Sequence, residues 1–303
     1  MTRPLTLLTI HAHPDDETIT TGGVMARYLA DGVRVVCLTS TLGEHGEIVV
    51  PELDTPENHV RLAEIRREEL ADALRRLGGV ESRLLGYEDS GMMGTPDNDD
   101  PAAFWQADLK EAIGRTVRIV REVRPDVVVG YNDFGGYGHP DHIRAAQVAK
   151  GAFEQAGDPA AFPDQVAGGL APWAPAKLYE SVLGFAGRER LMERVVERGI
   201  KAWWLPDEGA SEEQRVEMAA FTERMAAANG PVTTRVDVRA YLPAKRAAIE
   251  AHVTQITHDG LLLGLTLEDW RELMPDEEFS LRAARGLGEI RLPEDDLFAG
   301  LRS

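Results

Sequence analysis

His11-Ala12-His13-Pro14-Asp15-Asp16-Glu17 sets two imidazoles and three carboxylates within seven residues. An apolar run before it, Leu5 to Ile10, reads as a buried strand. After it, Thr20, Thr21, Gly22 and Gly23 lead into a helical pattern over Val24 to Ala30. The cluster therefore sits where a strand ends and a helix begins, which in an open α/β sheet is where ligands bind. Five ionisable groups with no evident charge partners repel one another unless a cation lies among them. Imidazole and carboxylate donors suit zinc first, and iron, cobalt or manganese after it.

A lone His-Pro-Asp turn is compatible with a plain strand-to-helix connection. A second cluster changes that reading: Gly135-Gly136-Tyr137-Gly138-His139-Pro140-Asp141-His142 follows the apolar run Val127 to Tyr131 and precedes a helical pattern over Ile143 to Phe153. A parallel sheet brings the C-terminal ends of its strands to one edge, so both clusters can converge on one ion.

Net charge is −18, from 33 basic and 51 acidic residues, which argues against nucleic acid or an anionic membrane as partner. No signal peptide and no membrane-spanning run is evident, and the cytoplasm is the default setting. Cys37, the single cysteine, lies in a strand pattern and reads as a core thiol.

Further along, Asp31-Gly32 ends the first helix and feeds a second strand, Val33 to Leu38, a right-handed crossover of a parallel sheet. The next loop carries Glu44 and Glu47. Leu62 to Leu77 reads as an amphipathic helix closed by Gly78-Gly79, and Arg83 to Tyr87 as a third strand. Glu88 to Pro101 is an acidic Gly/Pro/Asn loop opened by Asp89. Ala107 to Val123 reads as a helix stopped by Pro125, and Lys177 to Leu183 as a further strand. From about Phe185 helical patterns dominate (Arg188 to Arg198, Ser211 to Asn229, Ala240 to Thr254), with alternation over Val232 to Val238. The expected architecture is α/β: a Rossmann-like, mostly parallel open sheet flanked by helices, with a mainly helical C-terminal portion packed against it. Residues 1–303 are expected to form one catalytic domain, with an α/β metal-binding core over 1–185 and a portion over 186–303 that completes the substrate cleft.

The paired motifs resemble those of the LmbE-like zinc deacetylases, relatives of the de-N-acetylases of N-acetylglucosaminyl inositol compounds. Gly43-Glu44-His45-Gly46-Glu47, Asp89-Ser90-Gly91-Met92 and Gly135 to His139 are most similar to the branch serving mycothiol biosynthesis. The resemblance is strong over the first half of the chain and thin beyond, where Ala251-His252-Val253-Thr254-Gln255 carries it. It implies a hydrolase removing N-acetyl from an amino sugar. A related amidase of mycothiol conjugates carries lysine three residues after its Glu; here that position is Thr20. A deacetylase acting on an amino sugar of secondary metabolism is compatible with the same motifs. A metal-dependent phosphoesterase fits them less well, because the two clusters contain no Lys or Arg to hold a phosphate.

On this reading His13, Asp16 and His142 hold a catalytic zinc or another divalent ion, with a position open for water, which zinc brings to a pKa of about 7. Asp15 beside them is the expected general base, against the bland reading of a helix N-cap. His139, protonated and steadied by Asp141, is the expected proton donor to the leaving amine. Tyr137 sits on a glycine loop able to reach over substrate. Arg66, Asp89, Glu47 and His252 are the candidate substrate contacts. His11 reads as a buried strand-end residue, and Glu17 as a first-turn carboxylate favoured by the helix dipole.

Overall fold

The computed structural model describes residues 3–182, 188–200 and 209–302. Among them, β1 (Thr6–His11), β2 (Arg34–Thr39), β3 (Glu81–Leu84), β4 (Val127–Gly130), β5 (Lys177–Val182), β6 (Thr234–Asp237) and β7 (Asp276–Ala284) form one sheet in the order β3-β2-β1-β4-β5-β7-β6. The strands β3, β2, β1, β4 and β5 are parallel, while β7 runs antiparallel to both β5 and β6. Every residue of β1 and β4 is buried, as expected of strands covered on both faces. On one face Leu7 and Val129 meet Val24 and Tyr28 of the Asp16–Ala30 helix, Leu70 and Leu74 of the Leu62–Arg76 helix, and Trp270 and Phe279 from the C-terminal third. On the other, Leu8 and Val128 meet Val117 and Val120 of the Leu109–Val123 helix and Val148 and Phe153 of the Pro140–Gln155 helix. Each such side chain contributes on the order of 1.5–3 kcal/mol. Cys37 is fully buried in the first of these layers.

The mostly parallel α/β sheet is the expected one, with local corrections. The third strand is Glu81–Leu84, starting two residues before the expected Arg83 to Tyr87 and ending three before it. The helix expected over Ala240 to Thr254 is Leu242–Ile249, so His252 lies beyond its end. The strand β7 has no counterpart in the sequence pattern. Leu183 and the boundary at Phe185 lie outside the described residues.

One contact ties the C-terminal third to the first helix. Gly23 sits mid-helix, where glycine costs about 1 kcal/mol relative to alanine. A Cβ there would stand 2.7 Å from Val238 Cβ and 2.9 Å from Glu277 Oε1. That room lets the buried Glu277 carboxylate accept the N–H groups of Gly23 and Val24, both at 2.8 Å. Lys245 Nζ bridges Glu277 Oε1 at 2.7 Å and the carbonyl of Ile19 at 2.9 Å. Gly23→Ala is expected to destabilise the protein by about 1–3 kcal/mol through overpacking, read as a lowered urea midpoint. An unchanged midpoint would mean that Val238 and Glu277 give way freely.

Candidate active site

The strand order reverses between β1 and β4, whose crossovers leave on opposite faces of the sheet, and both motif clusters emerge from the C-terminal ends of these two strands. This is the switch-point crevice of an open α/β sheet. His13 lies in the turn after β1 and Asp16 begins the first helix. After β4 the chain loops through Gly135, at φ 65°, to His139, the N-cap of the Pro140–Gln155 helix. A Cβ at Gly135 would lie 2.5 Å from that of His142, so only glycine lets this loop rest on the helix turn that presents His142.

Three donor atoms converge there. His142 Nε2 is 3.3 Å from His13 Nδ1 and 3.3 Å from Asp16 Oδ2, and His13 Nδ1 is 3.6 Å from Asp16 Oδ2. A tetrahedral ion with bonds of about 2.0–2.2 Å keeps its ligand atoms roughly 3.3–3.6 Å apart. The three side chains therefore fit a divalent ion, with a face left for water or substrate. Burial opposes ionisation of Asp16, but the His142 and His13 rings outweigh it and hold the carboxyl below its usual range. Burial pushes His142 down to about 4, towards the neutral form that ligates metal.

The other ring nitrogen of His13 meets a carboxylate pair: Asp141 Oδ2 at 3.2 Å and Asp89 Oδ1 at 3.6 Å. Together they outweigh burial and raise the His13 pKa well above its ordinary value. Asp141 is in turn held by Ser90, whose N–H donates at 3.0 Å and whose hydroxyl donates to the second oxygen. Asp141 therefore orients His13, and not His139 as the sequence suggested, because its side chain turns back towards β1. Carboxylates behind a ligating histidine fix its tautomer and basicity. Asp141→Asn is expected to weaken metal affinity roughly 10–100-fold in a chelator competition; unchanged affinity would reduce the contact to packing.

Asp15 occupies the N-cap position yet makes no capping bond through its side chain, and its φ is 117°. Burial, then the adjacent Asp16 charge, push its carboxyl up to about 7, while His252 and Arg66 pull the other way. Glu17 is in the first turn of the helix, as expected, and its carboxylate turns inward. It is fully buried, with Oε2 accepting the Asp15 N–H at 2.9 Å and Oε1 accepting from His252 Nε2 at 2.8 Å. His252 is likewise 0% exposed, which counts against the substrate contact expected from the sequence.

His139 stands beside His13, ring centroids 4.6 Å apart. Burial, with the His13 and His142 rings, pushes it down to about 2, so it is a neutral imidazole and not the expected imidazolium. Its Nδ1 accepts the N–H of Asp141 at 3.2 Å, which leaves the ring proton on Nε2. The Tyr137 hydroxyl lies 3.4 Å from His142 Nε2, and burial keeps the phenol protonated. Arg66 is buried against the Gly43 and Gly46 loop, donating to the Glu47 carbonyl at 3.0 Å, with its Nε unpartnered. The Glu47 residue is itself exposed. Asp89 is occupied by protein: besides His13, it accepts from His45 N at 3.1 Å and Gly91 N at 2.9 Å, which counts against a substrate role. His11 is buried at the strand end, as expected, 3.0 Å from the Thr21 hydroxyl. Sequence reasoning missed two supports. Ser90 stood in the Asp89-Ser90-Gly91-Met92 motif with no role attached to it, and Tyr131, whose hydroxyl accepts the Ala12 N–H at 3.1 Å, ended an apolar run as any core tyrosine does.

Among known proteins, the family model described as PIG-L, GlcNAc-PI de-N-acetylase, matches residues 8–153. The chain is 45% identical over 308 residues to 1D-myo-inositol 2-acetamido-2-deoxy-alpha-D-glucopyranoside deacetylase of Geodermatophilus obscurus, covering 99% of each chain. The fold is shared with N,N'-diacetylchitobiose deacetylase from Pyrococcus horikoshii (TM-score 0.60, 20% identity, 91% of this chain and 83% of that one). It is also shared with GalB, the 4-carboxy-2-hydroxymuconate hydratase of Pseudomonas putida KT2440 (TM-score 0.62, 17% identity, 95% of this chain and 100% of that one).

Proposed function

The chain belongs to the GlcNAc-PI de-N-acetylase family, and on that premise we propose that it is a zinc-dependent deacetylase of N-acetylglucosaminyl inositol, the amino-sugar step of mycothiol biosynthesis. The fold, shared with a hydratase, does not choose the reaction; membership of this family does. The observation that carries the reading is the His13, Asp16 and His142 donor triangle with an uncapped Asp15 beside it.

When bound, the ion supplies a Lewis acid and makes water a nucleophile near neutrality. Asp15, with its carboxyl at about 7, takes the proton of the attacking water, matched to neutral pH as a general base must be. The Nε2–H of His139 and the phenol of Tyr137 are hydrogen-bond donors for the oxygen that becomes negative as the acetamide is attacked. The proton that Asp15 takes from the water is the one to be returned to the departing amine, since the His139 ring is already neutral. Arg66 and Glu47 are the candidates for gripping sugar hydroxyls. Iron(II) fits the same donors as zinc. The reading treats residues 1–303 as one catalytic unit with a small water-soluble substrate in the cytoplasm.

Incubation with N-acetylglucosaminyl inositol and with N-acetylglucosamine is expected to release acetate and free amine from both, faster from the conjugate. Mycothiol conjugates and phosphoesters in the same panel distinguish a deacetylase from an amidase and from a phosphoesterase. Turnover of phosphoesters alone, or of nothing, would overturn the proposal.

A further inference from the structure

Asp15 is held in a backbone conformation that side-chain-bearing residues rarely adopt, φ 117° and ψ −38°. Such a residue costs on the order of 1–3 kcal/mol and persists only where its surroundings fix it. Its carbonyl accepts from Thr18 N at 3.0 Å, Ile19 N at 3.2 Å and the Thr18 hydroxyl at 2.8 Å, all within the helix it precedes. Its N–H is fixed differently, by Glu17 Oε2 at 2.9 Å. Glu17 is itself pinned by His252, distant in sequence and fully buried, through Nε2 at 2.8 Å. Behind His252, Gln255 Nε2 lies 3.3 Å from the ring's Nδ1 and 3.2 Å from Glu69 Oε2. Thr254 donates to Glu69 from both its N–H, at 2.8 Å, and its hydroxyl, at 2.9 Å. Glu69 belongs to the Leu62–Arg76 helix, which also carries Arg66.

We infer that Glu17 and His252 are positioning residues that hold the peptide of Asp15 so that its carboxylate faces the reacting water. The inference rests on Asp15 being the base. Neither residue touches substrate or ion: both are sealed from solvent, and Glu17 spends its two oxygens on Asp15 and His252. Remove the His252 donor and Glu17 is free to rotate. The Asp15 peptide then relaxes towards an ordinary φ, carrying the carboxylate off its line. A displacement of about 1 Å costs on the order of 100-fold in rate.

The test is a double-mutant cycle on the metal-loaded protein, using His252→Leu, His252→Gln and Asp15→Asn. His252→Leu is expected to lower kcat about 10–100-fold, leave KM within about twofold, and leave the metal affinity of the stripped protein unchanged. His252→Gln, whose amide nitrogen restores a donor towards Glu17, recovers most of the loss. In the Asp15→Asn background His252→Leu costs nothing further, since residues acting through one group are non-additive. Equal losses in both backgrounds, or no rescue by glutamine, would show a structural role and overturn the inference. Should the leucine variant not fold, Glu17→Gln takes its place in the cycle: it keeps an acceptor oxygen for only one of the two donors, and the same non-additivity is expected. Full turnover in Asp15→Asn is a separate outcome that sinks the base assignment itself.

Discussion

Asp15→Asn is expected to keep the metal and lose at least about 100-fold in kcat, roughly 2.7 kcal/mol of transition-state stabilisation. Asparagine has nearly the same shape and tolerates positive φ better than most residues, so the turn at φ 117° is preserved. What disappears is the capacity to accept a proton. The metal stays because the donor triangle draws on His13, Asp16 and His142 alone. Steady-state kinetics and metal analysis on one preparation decide the matter. Loss of the ion would make Asp15 a ligand, and undiminished turnover would place the base elsewhere.

His142→Ala and His13→Ala are expected to lose bound metal on dialysis and turnover with it, since two remaining donors are a poor site. The two variants differ in stability. His142 leans on few charges, whereas His13 faces both Asp141 and Asp89. Its removal leaves these buried carboxylates with neutral donors only and no compensating charge. His13→Ala therefore also lowers the melting temperature, measurably more than His142→Ala does. Full metal occupancy in both variants would refute the ligand assignment.

The parallel half of the sheet was legible because β1 and β4 lie in mostly apolar runs, each followed, directly or after a glycine loop, by a His-Pro-Asp motif. The antiparallel edge was not. Asp276-Glu277-Glu278-Phe279-Ser280-Leu281 has its buried carboxylate at Glu277, and a buried glutamate in a charged run reads as solvent-facing until its partners Lys245, Gly23 and Val24 are known. The donor triangle could be read from motif types alone, because metal ligation is a property of residue chemistry. Partner choice could not: Asp141 lies two residues from His139 and 128 residues from His13 in sequence, yet its carboxylate goes to His13. Local likeness singles out His252 but misplaces it for the same reason, its partner Glu17 being 235 residues away.

The clasp of Glu277 and Lys245 on the first helix bears on how this protein can be re-engineered. Residues 8–153, which hold the whole donor triangle, look like a transplantable catalytic cassette. The helix that begins with Asp16, however, has the N–H groups of Gly23 and Val24 bonded from β7 and its Ile19 carbonyl bonded from the Leu242–Ile249 helix. A chimera that exchanges the C-terminal third to change sugar preference must carry Lys245, His252 and Glu277 across with it. A graft lacking them would disturb Asp15 and Asp16 before it altered sugar preference.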